Sequence, residues 1–314
     1  MATTVYDDSA FLAELWNQEA EIDGLSGPQF LVQTLEHDFA VKGAASVHVT
    51  MVESFSANDM VNNEVVDQAG SETDIEVALN KHKHVSTVIK DISVLQSPTG
   101  AAARMKRTAG FSKALYKQID SDFVTALAAI SPSAGHTVSN STAADWIDLA
   151  ADGHTVGEVV AALEALALRA RTVLSRADID DDKRYYMVCP ELEELVLKSE
   201  KYTSSQQVGE ANLVRGQFGS WYGAPVIKRN DAGFREYVAI DGEVAAHTIL
   251  TCYLYHSSIM AAGLQKHPTI QGSYELKALG YRVVADTVYG LKEARTDSLA
   301  KIQYYFAGDP FNLA

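Results

Sequence analysis

The stretch Tyr185-Tyr-Met-Val-Cys-Pro190, with Glu191 to Leu197 after it, lies at the centre of the predicted fold. Its aromatic and apolar residues predict a short strand, and Pro190 ends that strand because proline lacks the N–H that a strand ladder needs. Proline is well tolerated in the first turn of a helix, so a helix is predicted to follow at once. A strand that leads directly into a helix indicates mixed α and β structure, and residues 136–275 are predicted to form one compact region of this kind.

A long helix is predicted upstream, over residues 98–130. Five apolar side chains recur there every four residues and form one stripe, as expected for an amphipathic helix: Phe111, Leu115, Ile119, Phe123 and Leu127. Cations cluster in its first two-thirds, at Arg104, Lys106, Arg107, Lys113 and Lys117. An ordinary solvated helix face is favoured over a nucleic-acid-binding face for this helix taken alone.

Alternating residues predict strands on both sides of these elements. Residues 46–95 predict two strands separated by a long polar excursion, and residues 216–228 predict turn, strand, turn and strand. Residues 280–289 predict a further strand, and another follows to Tyr305. Residues 245–263 fit either a helix or a strand, and their β-branched and aromatic content leaves the choice open.

The charge of the chain is uneven. The 314 residues contain 41 Asp and Glu against 26 Lys and Arg, which gives a formal net charge of −15 and argues against a dedicated nucleic-acid-binding protein. Residues 1–41 contain no Lys or Arg and eight carboxylates: Asp7, Asp8, Glu14, Glu19, Glu21, Asp23, Glu36 and Asp38. This segment also has an apolar stripe that includes Trp16, but it is too small to build a core. We therefore expect it to lie as an arm on another surface, either of its own chain or of a neighbour.

The overall composition predicts a folded protein of two or more subregions. Hydrophobic residues make up 47% and charged residues 21% of the chain, which is ordinary globular usage. The two cysteines, Cys189 and Cys252, are expected to be buried thiols in a reducing compartment. The sequence has neither a secretion signal nor an apolar run long enough to span a membrane, so a soluble, intracellular protein is expected.

No motif predicts a catalytic, cofactor or metal site. The glycines at 216, 219 and 223 do not have the spacing of a nucleotide-binding loop, and no nucleophile elbow occurs. His82 and His84 point to one face of a predicted strand, but the flanking Lys81 and Lys83 favour a solvated basic face over a zinc site. A solvated acidic turn is likewise favoured over a calcium site at Asp178, Asp180, Asp181 and Asp182.

With these elements in order, the chain resembles the major capsid proteins of tailed bacteriophages, whose fold is named after phage HK97. Three passages support the resemblance: the strand, proline and helix around Pro190; the glycine-rich turns and strand of Gly216-Gln-Phe-Gly219 and Gly223-Ala-Pro-Val-Ile227; and the closing strands from Tyr281 to Ile302. In the closing strands the similar residues are Tyr289-Gly290, Arg295 and Ala300-Lys-Ile302. Together with the order of elements, the resemblance covers most of the chain.

The resemblance implies an α+β, HK97-like capsid fold. Residues 1–45 become an N-terminal arm, and residues 46–96 an extended β loop that lies over the adjacent subunit. Residues 97–131, the long spine helix, and residues 276–314 become the peripheral domain. Residues 132–275 become the axial α/β domain, whose tips meet around hexamer and pentamer axes.

The implied function is structural, without enzymatic turnover. The chain assembles with itself, through hexamers and pentamers, into an icosahedral shell that encloses double-stranded DNA without sequence-specific binding. Scaffold, portal and decoration proteins are further implied partners, and no membrane partner is implied. The resemblance also implies that the shell assembles in the host cytoplasm and that the protein is located in the virion capsid. Contacts between subunits are predicted at Trp16, Glu19, Glu21, Lys81 and Lys83, and a lumen-facing basic set at Arg104, Lys106, Arg107 and Lys113.

Two alternatives stay open at this point. One is a compartment shell like that of the encapsulins, which has the same fold but holds an enzyme cargo. The other is a soluble α/β enzyme in which the arm serves oligomerisation. Particle size and particle content separate the three.

Overall fold

The structure of the chain is a computed structural model. It describes residues 29–40, 43–52, 59, 72–92, 100–142, 145–149, 156–198, 220–239 and 246–311, without the side chains of residues 38, 40, 52, 100–109, 156 and 232. The β-strands are β1 His37–Ala40, β2 Ser46–Val52, β3 Glu72–Ala78, β4 Lys81–Lys90, β5 Thr137–Ser139, β6 Arg184–Val188, β7 Ser220–Trp221, β8 Ala224–Lys228, β9 Arg235–Val238, β10 His247–His256, β11 Met260–Glu275, β12 Gly280–Glu293 and β13 Leu299–Ala307. The α-helices are α1 Gly100–Ala129, α2 Val156–Arg176 and α3 Pro190–Leu197.

The strands form three sheets. The largest has the order β5-β13-β10-β6-β8-β7, with β9 also paired to β10. A second sheet has the order β1-β11-β12-β4, and β2 pairs only with β3. The mixture of helices and sheets confirms the predicted α and β content.

The predicted strand, proline and helix are confirmed by β6 and α3, with Pro190 at the first position of the helix. Cys189 precedes it in an extended conformation, as a residue before proline should be. Glu191 and Glu193 lie in the first turn of α3, where carboxylates are favoured by the helix dipole. Leu192, Leu195 and Val196 form its buried side.

The ambiguous segment 245–263 is strand, mainly β10. This strand is central in its sheet, with β13 along one edge and β6 and β9 along the other, and every side chain from His247 to Tyr255 is buried. A strand that is buried on both faces shows no alternation of polar and apolar residues. The lack of alternation in this segment therefore reflects burial on both faces of the sheet.

The apolar stripe of α1 faces inward, as predicted. Leu115, Ile119, Phe123 and Leu127 are all buried, and the last two have no exposed surface. In α2 the buried face runs through Leu163, Ala167, Ala170 and Leu174. The smaller Ala residues therefore lie at the centre of the buried face of α2, and Leu166 and Val173 are only partly buried.

The strands of the long excursion pair as an antiparallel hairpin, from Ser46 opposite Ala78 to Val52 opposite Glu72. One side of this hairpin is buried, through Val49, Ile75 and Val77 packed with Ala261. The close approach depends on glycine: a Cβ on Gly290 would lie 2.2 Å from the carbonyl oxygen of Ala78. The hairpin is thus anchored at its base to the long terminal strands.

Contacts divide the chain into two compact units. The smaller unit comprises residues 82–92, 100–117 and 266–287 of the described chain, and the larger unit comprises the described residues of 30–81, 118–265 and 288–311. The core of the larger unit is rich in aromatic side chains, with Trp221, Tyr186, Tyr255, Tyr304 and Phe306 fully buried. Among the described helices none is long and apolar enough to cross a membrane.

Candidate functional site

A carboxylate at Asp122 ties three elements of the larger unit together. Its Oδ2 accepts hydrogen bonds from the Tyr289 hydroxyl at 2.8 Å and from Lys81 Nζ at 3.1 Å. Its Oδ1 accepts one from Gln118 Nε2 at 2.8 Å. The Lys81 ammonium also lies 5.9 Å from the centre of the Tyr289 ring, within range of a cation–π contact.

This cluster favours the ionised carboxylate. Burial raises the pKa of Asp122, but the hydrogen bonds from Tyr289, Lys81 and Gln118 outweigh it, and the pKa is lowered overall. Burial, and then the bond to Asp122, raises the pKa of the Tyr289 hydroxyl. The Asp122 carboxylate accepts several hydrogen bonds and the Tyr289 hydroxyl is hard to ionise, so the pair is poorly suited to acid–base catalysis. Its contribution is to stabilise the fold.

A second buried carboxylate fixes the start of the described chain. Asp120 is 1% exposed, and its Oδ1 accepts the Leu31 N–H at 2.9 Å. Arg229 Nη1 lies 3.9 Å from Oδ2, and the same guanidinium binds Asp231 through Nε at 2.8 Å. Leu31 itself is buried, so the place at which the N-terminal residues join the larger unit is set by Asp120.

A polar cleft of about 430 Å³ lies in the smaller unit. Strand β4 contributes His82 and His84, β11 contributes Lys266, and β12 contributes Arg282 and Asp286. His82 Nε2 is 3.1 Å from Asp286 Oδ2, and Lys266 Nζ is 2.5 Å from Asp286 Oδ1. The hydrogen bond from Lys266 is the largest cause that holds the pKa of Asp286 below its usual value.

The cleft does not have the features of a metal site. His82 and His84 lie on one strand face, as predicted, and both are exposed. The fold brings the Asp286 carboxylate, which the local sequence lacks, close to His82. This carboxylate is already paired with Lys266. In the part of the chain that the structure describes, no group of three His, Cys, Asp or Glu residues could hold a metal ion.

The predicted acidic turn, Asp178 to Asp182, binds the buried side chain of Arg184. Arg184 is 3% exposed; its Nε donates to the Asp180 carbonyl at 2.7 Å, and Nη1 lies 2.6 Å from the Asp181 carboxylate. Arg171 Nη2 also donates to Asp181, at 3.2 Å. That bond is the first cause of the lowered pKa of Asp181. The guanidinium groups of Arg171 and Arg184 therefore partner the Asp181 carboxylate.

Both cysteines are free thiols buried in the larger unit, as predicted. Burial raises the pKa of Cys252 well above its usual value. A buried neutral thiol is a poor nucleophile, so this thiol acts as packing.

The structure separates the residues that were predicted to act between subunits. Lys81 is engaged by Asp122 inside its own chain, whereas Lys83 is half-buried without an ion pair to any described residue. Trp16, Glu19 and Glu21 lie outside the described residues. Of the predicted lumen-facing set, Lys113 is half-buried on α1, and the side chains of Arg104, Lys106 and Arg107 lie outside the description.

Three comparisons place this fold among known proteins. No protein-family model matches the chain, and no curated protein sequence is significantly similar to it. Solved structures do match over nearly the full length. The capsid of Ralstonia phage GP4 has a TM-score of 0.69 at 11% identity, over 99% of both chains.

Two further structures agree with this result. The mature capsid of bacteriophage PhiM1 matches with a TM-score of 0.65 at 13% identity, over 96% of this chain and 93% of that one. A structure from Mycobacterium phage Che8 matches with a TM-score of 0.63 at 17% identity, over 94% and 97%. Identities this low leave the likeness as one of fold, and the match includes both units of the chain. The chain therefore has the same fold as these bacteriophage structures.

Proposed function

We propose that this chain is the major capsid protein of a tailed bacteriophage and assembles with itself, through hexamers and pentamers, into an icosahedral shell around double-stranded DNA. The observation that carries the proposal is the likeness to phage capsids over 94 to 99% of the chain. A likeness confined to one domain would fit many functions, whereas a match from end to end favours the same use of the whole chain. The role is structural, and it places the protein in the virion after assembly in the host cytoplasm.

The HK97-like domain layout is part of the proposal. Residues 1–45 form the arm, residues 46–96 the extended loop, residues 97–131 and 276–314 the peripheral domain, and residues 132–275 the axial domain. Leu31 and Leu35 are buried and β1 pairs with β11, so the described end of the arm packs on its own chain. Scaffold, portal and decoration proteins are the further partners.

The charged residues acquire roles in such a shell. We propose that the acidic arm, with Trp16, Glu19 and Glu21, contacts basic surface of a neighbour, where Lys83 is the better candidate because Lys81 is already engaged by Asp122. Arg104, Lys106, Arg107 and Lys113 face the lumen and reduce the repulsion between an acidic shell and DNA. Replacing these four with Gln is expected to lower the DNA content of the particles, and an unchanged genome content would contradict this role.

The test of the main proposal is the size and content of purified particles. Expression of the full chain, with a scaffold if one is encoded, is expected to give megadalton particles of uniform diameter by electron microscopy and light scattering. Small oligomers under all such conditions would contradict the proposal and favour the enzyme. Particles from infected cells are expected to contain DNA; particles that hold a protein cargo and no nucleic acid would indicate a compartment shell instead.

A further inference from the structure

The polar cleft of the smaller unit lies on one face of a sheet whose other face is buried. Arg282, Val284 and Asp286 line the cleft from β12, and the residues between them, Val283 and Ala285, are buried on the opposite face. Strand β4 pairs with β12 and contributes two histidines to the cleft. The cleft is therefore built on paired strands, which hold its side chains more rigidly than a loop would.

The side chains that line the cleft are mostly hydrogen-bond donors. The six that can donate are Lys266, Arg282, His82, His84, Gln271 and Ser273. Among the lining residues only Asp286 is acidic, and its two carboxylate oxygens already accept from Lys266 at 2.5 Å and from His82 at 3.1 Å. A cleft with this excess of donors suits an anion better than a cation.

The carboxylates near the cleft hold its two cations without using all of their donors. Arg282 binds Glu275 through Nε at 2.6 Å, and its Nη1 and Nη2 form no hydrogen bond with any described residue. The Lys266 ammonium gives one of its three N–H groups to Asp286. Because the two carboxylates balance the two cations, the cleft attracts an anion through directed hydrogen bonds more than through net charge. Side chains held in place before binding also reduce its entropy cost.

The size and lining of the cleft limit what it can hold. Its volume of about 430 Å³ lies in the lower part of the range of small-molecule sites, roughly 300 to 1,000 Å³. Val284 is the only apolar side chain in the lining, so an aromatic ring or an acyl chain would gain little by entering. A compact ligand with many oxygen atoms fits both the volume and the donors.

We propose that this cleft binds a small oligophosphate, a compound with two or three linked phosphate groups. Arg282 donates to one phosphate through Nη1 and Nη2, whose fork matches the spacing of phosphate oxygens. Lys266 is shared between Asp286 and a second phosphate, and the remaining donors of the lining bind the other oxygens. Every lining residue belongs to the smaller unit of one chain, so the inference does not depend on assembly.

The phosphate backbone of nucleic acid offers the same chemical group in a different arrangement. Its phosphates follow a long strand, and proteins bind them with cations spread over an extended surface, so that affinity grows with the number of phosphates neutralised. The cleft instead collects its donors in a concave site of small volume. We therefore assign the cleft to a small ligand and treat nucleic acid as an outcome of the test.

The first experiment titrates the full-length chain with inorganic tripolyphosphate in a buffer free of divalent metals, at an ionic strength held constant with sodium chloride. Calorimetry is expected to show saturable binding of one tripolyphosphate per chain with a dissociation constant below about 1 mM. The thermal unfolding midpoint should rise with the tripolyphosphate concentration, because the ligand binds the folded chain. Orthophosphate, with a single phosphate group, is expected to bind at least about tenfold more weakly. No saturable binding up to about 10 mM tripolyphosphate would overturn the inference.

Substitutions in the cleft show whether tripolyphosphate binds there. Arg282→Gln removes the free Nη donors and is expected to weaken binding about tenfold. His84 is exposed, so His84→Lys and His84→Glu change the charge with little effect on folding, and they should tighten and weaken binding by about threefold each. The matched control is Lys90→Gln, an exposed lysine of the same strand roughly 20 Å from His84, which should leave binding unchanged. Equal affinity in wild type and Arg282→Gln, or His84 variants that shift binding in the same direction, would overturn the inference.

A competition experiment separates the small ligand from nucleic acid. A double-stranded oligonucleotide is added to the chain with bound tripolyphosphate, at an equal concentration of phosphate groups and at the same ionic strength. The oligonucleotide is expected to leave tripolyphosphate bound, because its backbone does not enter the cleft. Displacement of the tripolyphosphate from wild type would overturn the assignment to a small ligand and favour a nucleic-acid contact at these residues.

Discussion

The two units of the chain differ in charge and in where they place their hydrophobic residues. The larger unit buries Trp221, Phe123 and Tyr255, and most acidic residues of the chain belong to it. The stretches 82–117 and 266–287 of the smaller unit are basic, and the unit leaves Leu276 and Leu279 largely in solvent. The larger unit therefore contains most of the described hydrophobic core, whereas the smaller unit exposes apolar side chains. The net charge of the whole chain conceals this division.

The largest expected effect contrasts one core residue of the larger unit with one exposed residue of the smaller unit. Phe123 is fully buried beside Tyr255, with ring centroids 6.1 Å apart, so Phe123→Ala is expected to lower the free energy of unfolding by about 3 to 5 kcal/mol. Leu276→Ala removes an exposed side chain and is expected to change it by less than about 0.5 kcal/mol. Denaturant unfolding of unassembled subunits, followed by circular dichroism, measures both. Similar losses for the two variants would remove the contrast between the units.

The next effect concerns the buried carboxylate that holds the start of the larger unit. Asp120→Ala leaves the Leu31 N–H without its acceptor and removes one carboxylate near Arg229, so a loss of about 3 kcal/mol is expected. Hydrogen exchange gives a local readout, because the Leu31 amide should lose its protection. Asp182→Ala is the control at an exposed carboxylate. Unchanged exchange at Leu31 would show that Asp120 does not fix this segment.

A smaller, pH-dependent effect is expected at Asp122. Asp122→Asn removes the charge that Lys81 and Tyr289 bind and should cost about 1 to 2 kcal/mol near neutral pH. Because the folded-state pKa of Asp122 is lowered, its contribution is fully present above the ordinary value of 3.8 and is lost as the pH falls through the folded value. The difference between wild type and variant should therefore shrink below about pH 4. A difference that stays constant from pH 6 to pH 3 in the unfolding free energy would contradict this account.

Local periodicity explains which parts of the fold were predictable. The four-residue spacing from Phe111 to Leu127 is a property of the helix alone, and it predicted both α1 and its buried face. The alternation in β2, β3 and β12 likewise reports a strand with one buried side. Strand β10 carried no such signal because both of its faces are buried, so the sequence left helix and strand open there.

Partnerships across the chain were not predictable. Asp286 meets His82 across 204 residues, and Asp122 meets Lys81 across 41, so no sequence window contains both members of either pair. The smaller unit likewise combines distant stretches of the chain, 82–117 and 266–287 among them, and only the structure shows that they belong together. The role of Asp181 in binding Arg171 and Arg184 was missed for a related reason, since an acidic run in sequence does not show which guanidinium groups face it.

The smallest expected effect on stability comes from comparing Lys81 and Lys83, two nearby lysines that belong to different units. Lys81 belongs to the larger unit and donates to Asp122, whereas Lys83 belongs to the smaller unit and has no ion pair among the described residues. Lys81→Gln is expected to lower the free energy of unfolding by about 1 kcal/mol, and Lys83→Gln by less than about 0.5 kcal/mol. In assembly the order should reverse, with Lys83→Gln giving the larger loss of particle yield, because no described residue of its own chain compensates the charge of Lys83. Equal effects of the two variants on both measurements would mean that the division in charge between the units has no consequence for folding or assembly.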